Sequence, residues 1–80
     1  MPVEEPHRIV CHLDGLLESR GLTLTALAEE IGVSIVNLSI LKNQRAKAVR
    51  FTTLTAICDV LGCSPGELFS VAPWAVEPQS

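Results

Sequence analysis

Between Leu24 and Asn43 the chain leaves itself almost no room to turn. An apolar stripe at Leu24, Leu27, Ala28 and Ile31 reads as one short helix, and Leu38 and Leu41, spaced i, i+3, lie on a second. Only Gly32-Val33-Ser34 separates them. Two helices joined over three residues can only cross steeply, and at a steep crossing their backbones approach closely. Such a crossing needs a small residue where the first helix faces the second, and Ala28 stands there. It needs a left-handed turn four residues later, which Gly32 supplies at no steric cost. Leu27, Ile31, Val33, Leu38 and Leu41 provide the apolar flanks. Thr23 and Ser34 are placed to cap the two helices. The capping box after Thr23 is missing, because Ala26 takes the position of its Glu or Gln. The second helix is predicted from Ser34 to about Lys42 or Asn43, where Asn43-Gln44 breaks it.

The remainder reads as further short helices. Pro6 suits a first helical turn, with Glu4 and Glu5 near its positive end. Ile9, Leu13, Leu16 and Leu17 then follow a helical stripe until Gly21, which predicts helix 1 from about Pro6 to Arg20. Gly15 inside it costs roughly 1 kcal/mol against Ala, and the sequence offers no reason for it. Ala48 to Thr55 holds residues that suit a strand, but the stripe Phe51, Leu54, Ile57, Cys58, Leu61 fits a helix better. Helix 4 is therefore expected from about Phe51 to Leu61, closed by Gly62. Ser64-Pro65-Gly66-Glu67 is a capping box with proline at the first helical position. It opens a fifth helix whose buried side is Leu68, Phe69 and Val71 and which Pro73 stops. The expected fold is all-α, a compact five-helix bundle. Residues 6–72 form its single domain and residues 73–80 a short tail. Trp74 is expected to fold back on helix 5 or to cover a second subunit, because an exposed indole wastes its area.

Eighty residues bury only about 60–65% of their unfolded surface, which excludes a two-domain enzyme. A chain that is 48% hydrophobic and 19% charged is too apolar for disorder and greasier than a lone small monomer needs, which points to a partner surface. No apolar run approaches the roughly 18–20 residues of a membrane span, and Met1 to Glu5 lacks a basic-then-apolar leader. A cytoplasmic protein without a membrane partner is expected. The three cysteines, Cys11, Cys58 and Cys63, form no disulfide framework, and C-x4-C is not zinc spacing. They read as buried apolar thiols, and His7 and His12 as surface or boundary side chains. No Ser-His-Asp or Cys-His arrangement, carboxylate pair or glycine-rich phosphate loop is present, so no catalysis, metal or cofactor is expected.

A net charge of −3 disfavours a nucleic-acid partner by itself. The distribution says otherwise. None of the nine acids lies between Ile31 and Cys58, while Lys42, Arg45, Lys47 and Arg50, four of the six basic residues, do. An acidic body thus carries one basic segment directly behind the second helix of the steep pair.

The steep pair is a helix-turn-helix pattern. The stretch Arg8 to Val71 resembles the five-helix Cro and phage-repressor type of regulator, the xenobiotic-response-element family. The resemblance is carried by Arg20 to Ser34 (RGLTLTALAEEIGVS), by Asn37 to Asn43 (NLSILKN), and by Leu54 to Leu68 (LTAICDVLGCSPGEL). It implies a recognition helix, Ser34 to Asn43, lying in the major groove of double-stranded DNA. By matching positions, Ser34, Ile35, Val36, Ser39 and Ile40 should face bases. Thr23, Thr25, Lys42, Asn43, Arg45, Lys47 and Arg50 should meet phosphates. A sequence-specific regulator acting as a homodimer is the reading this favours. Two others stay open. Ile35, Val36 and Ile40 are three aliphatics suited to a protein partner, as in an antitoxin-like interaction module. Cys58 and Cys63 would serve a redox- or metal-responsive variant.

Overall fold

In the computed structural model, which describes residues 7–73, leucines at helix-facing positions build the core. In chain order the elements are β1 (Ile9–Cys11), α1 (Leu13–Arg20), α2 (Leu24–Ile31), α3 (Ile35–Lys42), α4 (Phe51–Leu61), α5 (Pro65–Leu68) and β2 (Phe69–Val71). Leu13 and Leu17 enter the core from α1, Leu27 and Ala28 from α2, and Leu38 and Leu41 from α3. Ile57 and Leu61 enter from α4 and Leu68 from α5, with Cys11 buried beside them. Every buried side chain among the described residues is apolar. α2 packs against both α3 and α4 and sits at the centre of the helical layer.

Local chemistry sets the helix ends. The Thr23 hydroxyl oxygen accepts from Ala26 N–H at 3.0 Å, and the Ser34 hydroxyl oxygen accepts from Asn37 N–H at 3.1 Å. Each bond satisfies one amide that the first turn of a helix leaves without a partner. Gly32 takes φ 73°, which lets Gly32 N–H and Val33 N–H both reach the Ala28 carbonyl, at 2.9 and 3.1 Å. This closure turns the chain between α2 and α3. Ser64 N–H donates to Glu67 Oε1 at 2.8 Å in the capping box that opens α5. Arg20 Nε donates to the Leu61 carbonyl at 2.7 Å and ties the end of α1 to the end of α4.

The two ends of the fold depart from expectation. Helix 1 does not run through Ile9. The residues Ile9–Cys11 are a strand, and the helix starts at Leu13. Helix 5 does not continue to Pro73. It stops at Leu68, and Phe69–Val71 pairs antiparallel with β1 in the register Ile9↔Val71, Val10↔Ser70, Cys11↔Phe69. His12 N–H donates to the Leu68 carbonyl and Ala72 N–H to the Arg8 carbonyl, each at 2.7 Å, so the ladder extends past both strands. A four-residue helix has little cooperative stability with which to extend itself. β-branched and aromatic side chains in both short segments favour the pleated alternative once a partner is present. The fold is therefore mostly helical with a small two-stranded sheet, not strictly all-α. Val71 consequently lies exposed on a strand rather than on the buried side of a helix. Phe51 also departs from its stripe. It is the first residue of α4 and is 83% exposed, and the inward row begins one turn later at half-buried Leu54. Pro6, the proposed helix start, and Trp74 with the rest of the tail lie outside the described residues.

Ala28 retains 6% of its surface, so the three heavy atoms that leucine adds have nowhere to go. Ala28→Leu is expected to destabilise the protein by roughly 1–3 kcal/mol through overpacking. Gly15 is the opposite case, because a methyl group there meets nothing within 4 Å. Gly15→Ala is expected to stabilise by roughly 0.5–1 kcal/mol. Paired thermal melts of the two variants should move in opposite directions.

Candidate nucleic-acid interface

Burial of Leu38 and Leu41 turns one side of α3 inward and leaves its first turn facing out. Ser34, Ile35 and Val36 are exposed there, the last at 63%, while Ser39 and Ile40 further along are half-buried. Behind α3 the chain runs without regular structure to α4, and exposed Arg45, Lys47 and Arg50 are spread along that loop. Helix and loop enclose an open groove of about 540 Å³, which Ser34, Asn37, Ile40, Arg45, Lys47 and Arg50 help to line. Three cations border it and, among the described residues, no acid does. An arrangement of this kind attracts a polyanion to a surface that also offers apolar and amide contacts.

The remaining expected phosphate contacts lie elsewhere. Lys42 is half-buried and reaches toward α1, with its Nζ 3.8 Å from Asp14 Oδ1. The Asp14 side chain is 79% exposed, so the solvent-screened pair adds little stability. Asn43 Nδ2 donates to the Ser39 hydroxyl at 3.2 Å, which joins a candidate phosphate contact to a candidate base contact. Thr23 and Thr25 are exposed at the start of α2 and do not line the groove, and the Thr23 hydroxyl oxygen already serves as a cap. Of the motif residues, Leu27, Ala28, Leu38 and Leu41 are buried, Ile31 and Val33 are half-buried, and Gly32 takes the left-handed turn.

Two residues were missed by the sequence reading. Asn37 is exposed in the first turn of α3 and lines the groove beside Ser34. A carboxamide can bond an adenine edge twice, and its place three residues after the cap was the available signal. Gln44 is the other. Its Oε1 accepts from Cys11 N–H at 2.8 Å, and its Nε2 donates to the Cys11 carbonyl at 2.8 Å. Two residues on, the Ala46 carbonyl accepts from His7 Nε2 at 3.2 Å, while His7 Nδ1 accepts from Ile9 N–H at 3.0 Å. The start of the basic loop is thus tied to β1 and the residues just before it.

The chain's residues 12–73 match the model of the Cro/C1-type HTH DNA-binding domain. The chain is 47% identical over 60 residues to the uncharacterised HTH-type transcriptional regulator YozG of Bacillus subtilis (strain 168), covering 75% of this chain and 71% of that protein. Its fold is similar to the crystal structure of the transcriptional regulator VanUg, with a TM-score of 0.70 and 27% identity. That likeness covers 91% of this chain and 96% of the other.

The thiols lie away from the groove. Burial pushes the Cys11 thiol up, against a backbone hydrogen bond at Leu13 that works the other way. Cys58 is also pushed up, first by burial, then by Cys63 beside it and by the charges of Asp59 and Glu67. Both groups therefore stay neutral at pH 7, and a neutral thiol is a poor nucleophile. Folding holds the proton on, so this contribution to stability is fully present below the ordinary thiol range. It is lost as pH climbs through that range. The melting temperature should consequently fall above about pH 8.5, and a Cys11→Ala, Cys58→Ala variant should lose that part of the decline. Reaction of Cys11 and Cys58 in the native protein with a thiol reagent at pH 7.5 should be slow beside that of the same residues in the unfolded chain.

Proposed function

The chain belongs to the Cro/C1-type HTH DNA-binding domain family, and on that footing we propose that α3 enters the major groove of double-stranded DNA while the loop behind it holds the sugar-phosphate backbone. DNA-binding transcription regulation is the function of this chain. The observation that carries the finer reading is the groove between the exposed turn of α3 and Arg45, Lys47 and Arg50, which no acid among the described residues lines. Ser34, Ile35 and Val36 meet base edges first, with Asn37 beside them and Ser39 and Ile40 deeper along the helix. The aliphatic side chains suit thymine methyl groups, and Asn37 suits adenine. Arg45, Lys47 and Arg50 take phosphates, flanked by Asn43, Thr23 and Thr25. Lys42 reaches a phosphate only by leaving Asp14. The working unit is the domain 6–72, with 73–80 as its tail. It acts in the cytoplasm without catalysis or cofactor.

One module with so few polar base contacts binds weakly, so the second part of the proposal is a homodimer. A two-fold pair places two α3 helices on half-sites about 34–36 Å apart and recovers affinity. Exposed Ile9 and Val71, directly opposite each other in the sheet register, are the apolar surface we assign to the second copy. A specific observation also favours a protein partner as the second reading. Ile35 at 43% and Val36 at 63% exposure are large apolar side chains at the tip of α3.

Titration on two DNA sequences at three salt concentrations separates these readings. Arg45→Ala or Lys47→Ala should weaken binding to both sequences alike and flatten the salt slope by about 1 per subunit. Ile35→Ala and Val36→Ala should leave the slope unchanged and shift the preferred sequence by about 1–3 kcal/mol. Sedimentation of the complex should give two chains per operator. Basic variants that bind like the parent, with aliphatic variants that lose a protein complex, would transfer the function to the interaction module.

A further inference from the structure

Among the described residues only one non-glycine takes a positive φ, and it sits where the recognition helix ends. Gln44 N–H donates to the Leu41 carbonyl at 3.2 Å and Arg45 N–H to the Ile40 carbonyl at 3.0 Å, which is a Schellman closure with Gln44 at its left-handed position. α1, α2 and α4 place Gly21, Gly32 and Gly62 at the corresponding point, with φ of 68°, 73° and 65°. Gln44 adopts φ 67° with a full side chain. A residue held in a conformation that disfavours its own side chain persists where that side chain does something the surroundings require.

What the Gln44 carboxamide does is visible in its bonds. The ladder pairs Arg8, Val10 and His12 with Ala72, Ser70 and Leu68, so the backbone groups of Cys11 point to the opposite edge of β1. Gln44 meets both of them at 2.8 Å, one as acceptor and one as donor. Its carboxamide stands in for a neighbouring strand. The same Nε2 lies 3.3 Å from the Lys42 carbonyl at the end of α3. His7 holds Ala46 two residues further on. The exit from α3 is thereby pinned to the sheet at the point where the loop carrying Arg45, Lys47 and Arg50 begins.

We propose that Gln44 is a positioning residue for DNA binding. Its carboxamide fixes the basic loop against β1 so that Arg45, Lys47 and Arg50 meet phosphates while α3 lies in the groove. This rests on the DNA reading given above. It differs from a stabilising role in one measurable respect, because removing an uncharged group then changes a charge-dependent quantity.

The test uses the full chain with Gln44→Gly, which removes the carboxamide and relieves the left-handed backbone, and Gln44→Ala as a second variant. Gln44→Gly should stay folded, exchange the Cys11 amide proton faster than the parent, and bind DNA about five- to tenfold more weakly. Its salt slope should flatten although no cation has been removed. Arg45→Ala should cost less in the Gln44→Gly background than in the parent, because the two changes act through one loop. Parent-like affinity and slope for folded Gln44→Gly, with a full additive loss from Arg45→Ala, overturns the positioning role alone. Failure of the parent to bind any DNA overturns the DNA reading, and this proposal with it.

Discussion

The turn closed on the Ala28 carbonyl between α2 and α3 governs the rest of the molecule. Ala28 is buried in α2, which packs on both α3 and α4, and two amides converging on its carbonyl hold the turn that follows. Each of the two helices is eight residues long. Helices that short do not persist alone in water, so their order comes from the shared core. Leu27, Leu38 and Leu41 are buried as a consequence of the crossing, and α3 has one rotational setting in which that is true. The outward first turn, with Ile35, Val36 and Asn37, is the remainder of the same setting. Recognition geometry and core packing are one constraint seen from two sides.

Most helix boundaries were legible because their causes are local. Thr23 and Ser34 cap α2 and α3, Gly32 and Gly62 end α2 and α4, and Ser64 to Glu67 opens α5, all within a few residues of the signal that predicts them. The strands were not legible. Three residues are too few to show a period, and the pairing of Ile9 with Val71 joins opposite ends of the described chain. Read locally, both residues passed for members of a helical stripe. The site divided in the same way. The outward face of α3 followed from the inward leucines, and the basic loop from the gap in the acids. The turn of Lys42 toward Asp14 did not, nor did the grip of Gln44 on Cys11 across 33 positions. A polar pair, Asn43-Gln44, looked like an ordinary helix breaker because the partner that explains it is remote in sequence.

Charge is segregated as well as scarce. In a chain of net charge −3, three of the six basic residues line one groove, so the field of the molecule has a direction. A polyanion is turned away by most of the surface and admitted on one side. That favours docking in a single orientation, and it does so over roughly a Debye length, about 8 Å at physiological ionic strength. In the proposed DNA complex the apolar side chains at the tip of α3 act only at contact range, which divides the work between approach and discrimination.

The strand pair also has a kinetic meaning. α1 to α4 can assemble from contacts near in sequence, whereas β1 and β2 must close a loop almost as long as the described chain. Long closures carry the larger entropic cost and tend to come late in folding. By the same reasoning a three-residue ladder at the ends is a natural first place for the native protein to open, with the α2–α3 crossing still intact. Opening of β1 would free Cys11 from Gln44 and slacken the loop behind α3 without unfolding α3 itself. The fold therefore has a place to fray first, and what that fraying loosens is the anchor of the loop that carries Arg45, Lys47 and Arg50 rather than the α2–α3 turn.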